Sequence, residues 1–142
     1  MSLVAPLALA VAVLNALVAV LGALRAPARV FWPALRAGQL AAVALAALAG
    51  VVAATGHRPG DSLFWLYALL PVAVGLIAEQ LRLASAEAVL DARGLEDAQA
   101  MAALPEDEQR AIVLAIVRRE TVVMACAAGV VAFLALRAAT TW

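Results

Sequence analysis

Four stretches of this sequence stay apolar for about the length of a membrane crossing. They run over residues 3–24, 34–55, 62–84 and 111–138. A helix needs about 20 apolar residues to cross roughly 30 Å of hydrocarbon. In lipid the backbone must satisfy its own hydrogen bonds, so such spans are helices. Composition points the same way: 67% of the 142 residues are hydrophobic and the mean hydropathy is +1.02. Soluble domains are about 45–50% apolar, and one this small has too much exterior to hide the excess. The expected fold is an all-α integral membrane protein. It is one domain over 1–142, a four-transmembrane-helix bundle whose third and fourth helices extend into a cytoplasmic helical hairpin over about 83–117.

The first run competes with a cleaved signal peptide. That reading needs a basic leading segment, and the first 24 residues hold no Arg or Lys, so a retained helix is expected. Ala8, Ala12 and Ala16 recur every fourth residue, a stripe that admits a close neighbour helix. Asn15 lies near the middle of the run. It serves either as packing glue through an interhelical hydrogen bond or as a polar contact lining a path.

Residues 25–33 read as a short basic loop with Pro27 and Pro33, and Phe31 and Trp32 as interface anchors. The Ala-rich second run is expected inside the bundle. A polar turn follows at 56–62, where Pro59 and Gly60 suit a type II turn and Asp61 or Ser62 can cap the next helix. His57, the single histidine, reads as solvated. Phe64, Trp65 and Tyr67 form a second aromatic belt at the other membrane face. Pro71 lies within the third run and predicts a kink.

That run does not stop at its charges. Leu83, Ala86 and Leu90 carry a helical stripe to Gly94, the first credible stop. A short amphipathic helix is expected over 95–104. Pro105 with Glu106, Asp107 and Glu108 then opens the last helix, which suits the positive end of its dipole.

All ten basic residues are Arg. Eight of them cluster on one side of the expected topology, and only Arg58 and Arg137 lie on the other. The positive-inside rule puts the eight in the cytoplasm and both termini outside a cell membrane. Formal net charge is zero, so no nucleic-acid partner is indicated. Membrane lipids, a second copy or a partner membrane protein are the expected contacts.

Two charged clusters, Glu79–Arg82 and Arg118–Glu120, flank the third and fourth runs. In an antiparallel pair they come to a common depth near the cytosol. Arg36, Gln39, Glu79, Arg82, Arg118, Arg119 and Glu120 are then one candidate layer. Glu79 is expected to meet Arg118 or Arg119, and Arg82 to meet Glu120. Such a layer is either snorkelling charge at helix ends or, with four Arg against two Glu, a site for an anion or lipid headgroup.

Catalysis has little to work with. One His, one Cys and few Ser leave no nucleophile–base pair. Glu79 and Glu120, paired with Arg, stay ionised and fit structure more than proton transfer. The single Cys126 makes no intrachain disulfide and no metal cluster, and two His for a haem are not present in one chain, so no cofactor is expected. The expected function is non-enzymatic: a scaffold or accessory subunit, with a small homo-oligomeric channel or transporter as the alternative.

Overall fold

The computed structural model describes residues 3–142. It contains α1 (Val4–Ala23), α2 (Ala28–Ala54), α3 (Leu63–Ala92), α4 (Ala98–Ala102) and α5 (Glu106–Thr141), with no strand among the described residues. The four long helices are each long and apolar enough to cross a membrane. At 1.5 Å per residue they measure about 30, 40, 45 and 54 Å in chain order.

The helix ends follow local chemistry. Ala26 N–H bonds Leu21 O, and Arg25 N–H bonds Gly22 O, the paired closure that ends a helix in a left-handed residue. Here that residue is Arg25, with φ +55°, where Gly is usual. The end of α3 repeats the closure with Gly94 at φ +69° and Leu95 N–H bonding Leu90 O. Asp61 Oδ1 accepts Leu63 N–H at 2.9 Å and opens α3. Asp97 Oδ1 accepts Ala100 N–H and opens α4.

Around the bundle the helices lie in the order α2, α1, α5, α3. Helix α5 packs closely along both α1 and α3 and barely meets α2, while α2 and α3 form the loosest seam of the ring. Small residues set the tight seams. A Cβ on Gly22 would sit 2.3 Å from Ala125 Cβ, so only glycine allows α1 and α5 to approach there. The interior falls into two clusters. One joins Val11, Leu45, Phe64, Val131 and Ala135; the other joins Val18, Phe31, Leu35, Ala78 and Met124.

At the end of the bundle that carries the α2–α3 turn, the chain locks onto α5. Gly60 N–H bonds Trp142 O and Asp61 N–H bonds Thr141 O, each at 3.1 Å. These bonds satisfy carbonyls that a helix end leaves without partners. Trp142 stacks on His57 at 5.8 Å and packs against Phe64 at 4.9 Å. His57 is exposed, as expected, but it has a ring partner that its position in a loop does not disclose.

Several expectations are corrected. Residues 28–33 are helical, because α2 begins at Ala28 behind Pro27. Pro33 sits within the early turns of the helix, near enough to its start to forfeit few hydrogen bonds. Phe31 and Phe64 are core residues, not belt anchors, at 1% and 0% exposure. Ala8 and Ala12 face the core but Ala16 is exposed. Every fourth residue advances 40° beyond a full turn, so the buried stripe passes instead to Asn15 and Val18. The amphipathic helix expected over 95–104 is the short α4, which has no buried residue.

Candidate functional site

Glu79 is the hub of the polar residues inside the bundle. Arg36 Nη1 donates to Glu79 Oε1 at 2.6 Å and to Gln39 Oε1 at 2.7 Å. Gln39 Nε2 donates to the same Glu79 oxygen at 2.9 Å. Arg36 and Gln39 are three apart on α2 and so share a helix face, which lets both reach one carboxylate on α3. From the third side, Arg82 Nε lies 3.0 Å from Glu79 Oε2. Its N–H is not aligned with that oxygen, and Nε is buried without a hydrogen-bond partner among the described residues. The contact is therefore an electrostatic pair rather than a hydrogen bond. The Arg82 guanidinium also lies over the Trp32 ring, 5.5 Å from its centroid, where the ring face attracts a cation.

Asn15 sits deeper. Its Nδ2 donates to Val11 O on its own helix and to Gly38 O on α2, at 2.9 and 3.3 Å. A Cβ on Gly38 would lie 2.9 Å from Asn15 Oδ1, so glycine is what permits this bridge. The residue is 2% exposed.

Between Asn15 and the Glu79 hub lies a half-open cavity of about 200 Å³. Its polar end is Arg36, Gln39 and Glu79, and its back is Asn15. Its walls are apolar, from Ala42 and Val43 on α2 and from Pro71, Val72 and Leu76 on α3. The sequence makes the space. Gly75 has no side chain to fill it and a Cβ there would meet nothing within 4 Å. Ala42 is short on the opposite wall. Val43 and Leu76 on the rim are 52% and 65% exposed, so the cavity opens sideways, through the loose α2–α3 seam.

The second charged cluster is not part of this site. Arg118 and Arg119 are exposed and Glu120 is half-buried. No ion pair joins any of the three to Glu79 or Arg82 among the described residues. For Glu79 the reason is register. Helices α3 and α5 share a surface hollow in which Val74 and Leu81 accompany Val130 and Val122. Antiparallel packing on those walls sets Glu79 level with about Ala125. Arg119 then lies about 9 Å farther along the bundle. The single layer expected from the sequence is two levels. The hub of Arg36, Gln39 and Glu79 lies at the inner one and Arg118 and Arg119 at the outer one. Arg82 and Glu120 fall between them, only about 3 Å apart in level and without an ion pair to each other among the described residues.

The sequence also offered no hint of Trp32 as a platform for Arg82, because the two are fifty positions apart. Gly38, a lone glycine early in an Ala- and Leu-rich helix, was the available clue to the Asn15 bridge. No protein-family model matches this chain, and neither a curated protein nor a solved structure matches it significantly.

Proposed function

We infer that this is a non-enzymatic, multi-pass membrane protein that works by binding, as a scaffold or accessory subunit. The observation that carries this reading is the unequal length of the helices. Helices α3 and α5 run about 45 and 54 Å, against about 30 Å for α1 and for the hydrocarbon itself. Their far ends form a hairpin arm with an ordered tip. Gln109 Nε2 ties the α4 segment to α5 through Ala102 O and Leu104 O, at 3.1 and 2.8 Å, and Ile112 and Ser85 are buried within the arm. Inside the bundle, the polar groups are engaged in joining helices: Asn15 ties α1 to α2, and the Glu79 hub ties α2 to α3. That use fits structure rather than turnover.

Eight arginines lie at the arm's end of the bundle, or within the adjoining half of the spans, and two at the opposite end. The positive-inside rule then puts the arm in the cytoplasm and both termini on the other side of a cell membrane. Arg118 and Arg119 are about 33–35 Å along α5 from Thr141, a depth that suits lipid phosphates. Proximity labelling from the arm in intact cells tests the reading. Full-length protein is compared with a chain in which residues 95–107 are replaced by a short Gly/Ser linker. Loss of specific labelled membrane proteins is expected. An identical set with and without the tip counts against an accessory role for the arm. The cavity between α2 and α3 favours a second reading, a small carrier or channel for an anion, tested by anion flux into liposomes.

A further inference from the structure

We propose that the α2–α3 cavity is a binding site for one anionic phospholipid, entered from the side. The site combines two chemistries at one place. Arg36 lines its polar end with Gln39 and Glu79. Arg82, which does not line the cavity, shares the Glu79 carboxylate from outside it, so that carboxylate does not neutralise Arg36 alone. Its walls are apolar and its rim faces the lipid through Val43 and Leu76. A free inorganic anion matches the first property only. A neutral lipid matches the second only, and a zwitterionic one sets its own cation beside the phosphate that Arg36 would hold. A lipid whose phosphate carries net negative charge matches both.

Arg36 is the residue that reads the headgroup. Only Nη1 is engaged, with Glu79 and Gln39. Its Nη2 and Nε donate to no acceptor among the described residues, and the side chain is 50% exposed. A guanidinium with one edge held and the other free is pre-oriented for a two-point contact with a phosphate. The Glu79 and Gln39 bonds fix its direction, which lowers the entropy lost when the lipid docks. An acyl chain then follows the wall past Leu76 toward Val43 and Val72, in the space that Gly75 and Ala42 leave open.

The polar end lies at a reachable depth. Glu79 is about 24 Å along α3 from Leu63, so in a slab of roughly 30 Å it sits just inside the far boundary. A headgroup drawn slightly inward from its own leaflet meets Arg36, and its chain lies in hydrocarbon throughout. Arg118 and Arg119, farther out and exposed, attract anionic lipid to the surface without holding one molecule.

The test is lipid retention by the full chain, measured by native mass spectrometry from mild detergent. Dioleoyl-phosphatidylglycerol and dioleoyl-phosphatidylcholine are supplied at equal concentration. The wild type should retain one phosphatidylglycerol with a preference of about fivefold. Gly75→Leu fills the wall without touching the charged hub and should lose the retained lipid. Arg36→Ala should keep some lipid but lose the preference. Equal retention of both lipids by the wild type overturns the site. So does a preference that survives Arg36→Ala and disappears in the Arg118→Ala, Arg119→Ala double variant. Inorganic phosphate alone, raising the unfolding temperature as much as phosphatidylglycerol does, overturns it in favour of a free anion. If Arg36→Ala does not fold, Gly75→Leu decides: undiminished retention by that variant overturns the site. Labelling from the arm is independent of either lipid result, so the two readings fail separately.

Discussion

Arg36 on α2 and Glu79 on α3 meet at 2.6 Å, across the loosest seam of the bundle. Their bond, shared with Gln39, is the principal polar tie between those helices. It closes one end of a cavity whose other walls are apolar. Removing the carboxylate leaves two arginines and an amide facing one another, which is worse than removing either arginine.

Glu79→Ala should therefore destabilise the bundle by about 1–3 kcal/mol, at the low end of partner removal because the pair is only partly buried. Arg36→Ala should cost less, since Glu79 keeps Gln39 and Arg82. Reversible unfolding in mixed detergent measures both. The reverse order, with Arg36→Ala the more damaging, argues against Glu79 as the hub.

Asn15 and Gly38 form a coupled pair. Asn15→Ala removes the bond to Gly38 O and should cost roughly 0.6–2 kcal/mol. Gly38→Ala places a methyl 2.9 Å from Asn15 Oδ1, and steric overlap of this kind costs about 1–3 kcal/mol. The double variant should cost less than the sum, because the shortened side chain makes room for the methyl. Strict additivity would show that the two do not share the contact.

Gly22→Ala should weaken the α1–α5 seam, again by about 1–3 kcal/mol, since its Cβ would lie 2.3 Å from Ala125 Cβ. Gly50→Ala is the matched control, because a Cβ there meets nothing within 4 Å. It should be neutral or slightly stabilising. Thermal unfolding of the two variants in one detergent compares them. Equal loss from both would mean that α1 and α5 are not held close by the absent side chain.

The four long apolar helices are legible in the sequence because length and hydropathy determine them almost alone. Ends with capping chemistry, at Asp61, Gly94 and Pro105, were legible too. What failed was whatever depends on which way a helix is turned and how far it slides. Phe31 and Phe64 have the composition of belt residues, yet they lie on inward faces. Pro33 reads as a loop residue unless Pro27 is known to start the helix. The positions of the charges are legible in the sequence, but which of them share a depth is not. A hairpin that folded back evenly between Ala92 and Glu106 would set Glu79 against Arg119. The connection carrying α4 instead lets α5 begin beyond the end of α3, and packing of Ala78 with Met124 and Ala128 sets the slip. No pattern in either helix alone contains that offset.

Removing the ring at the far end should loosen one end of α5 and leave the charged hub intact. Trp142→Ala loses the contacts with His57 and Phe64. A loss of about 2 kcal/mol fits a half-buried aromatic residue. Hydrogen exchange should quicken in the last turn of α5 and around Gly60, and not around Glu79. Uniform acceleration across the bundle would show that this lock is not local.

The depth of the two charged levels is the most direct test of the two-level arrangement. Spin labels are placed singly at Gln80 and Arg118 in a chain with Cys126→Ala, in lipid vesicles. Collision with oxygen and with a water-soluble nickel chelate gives the depth of each. Two levels predict that the label at position 80 is the deeper by about 9 Å, with the label at 118 reached freely by the chelate. Equal depths would contradict the register between α3 and α5, and with it the separation of the Glu79 hub from Arg118 and Arg119.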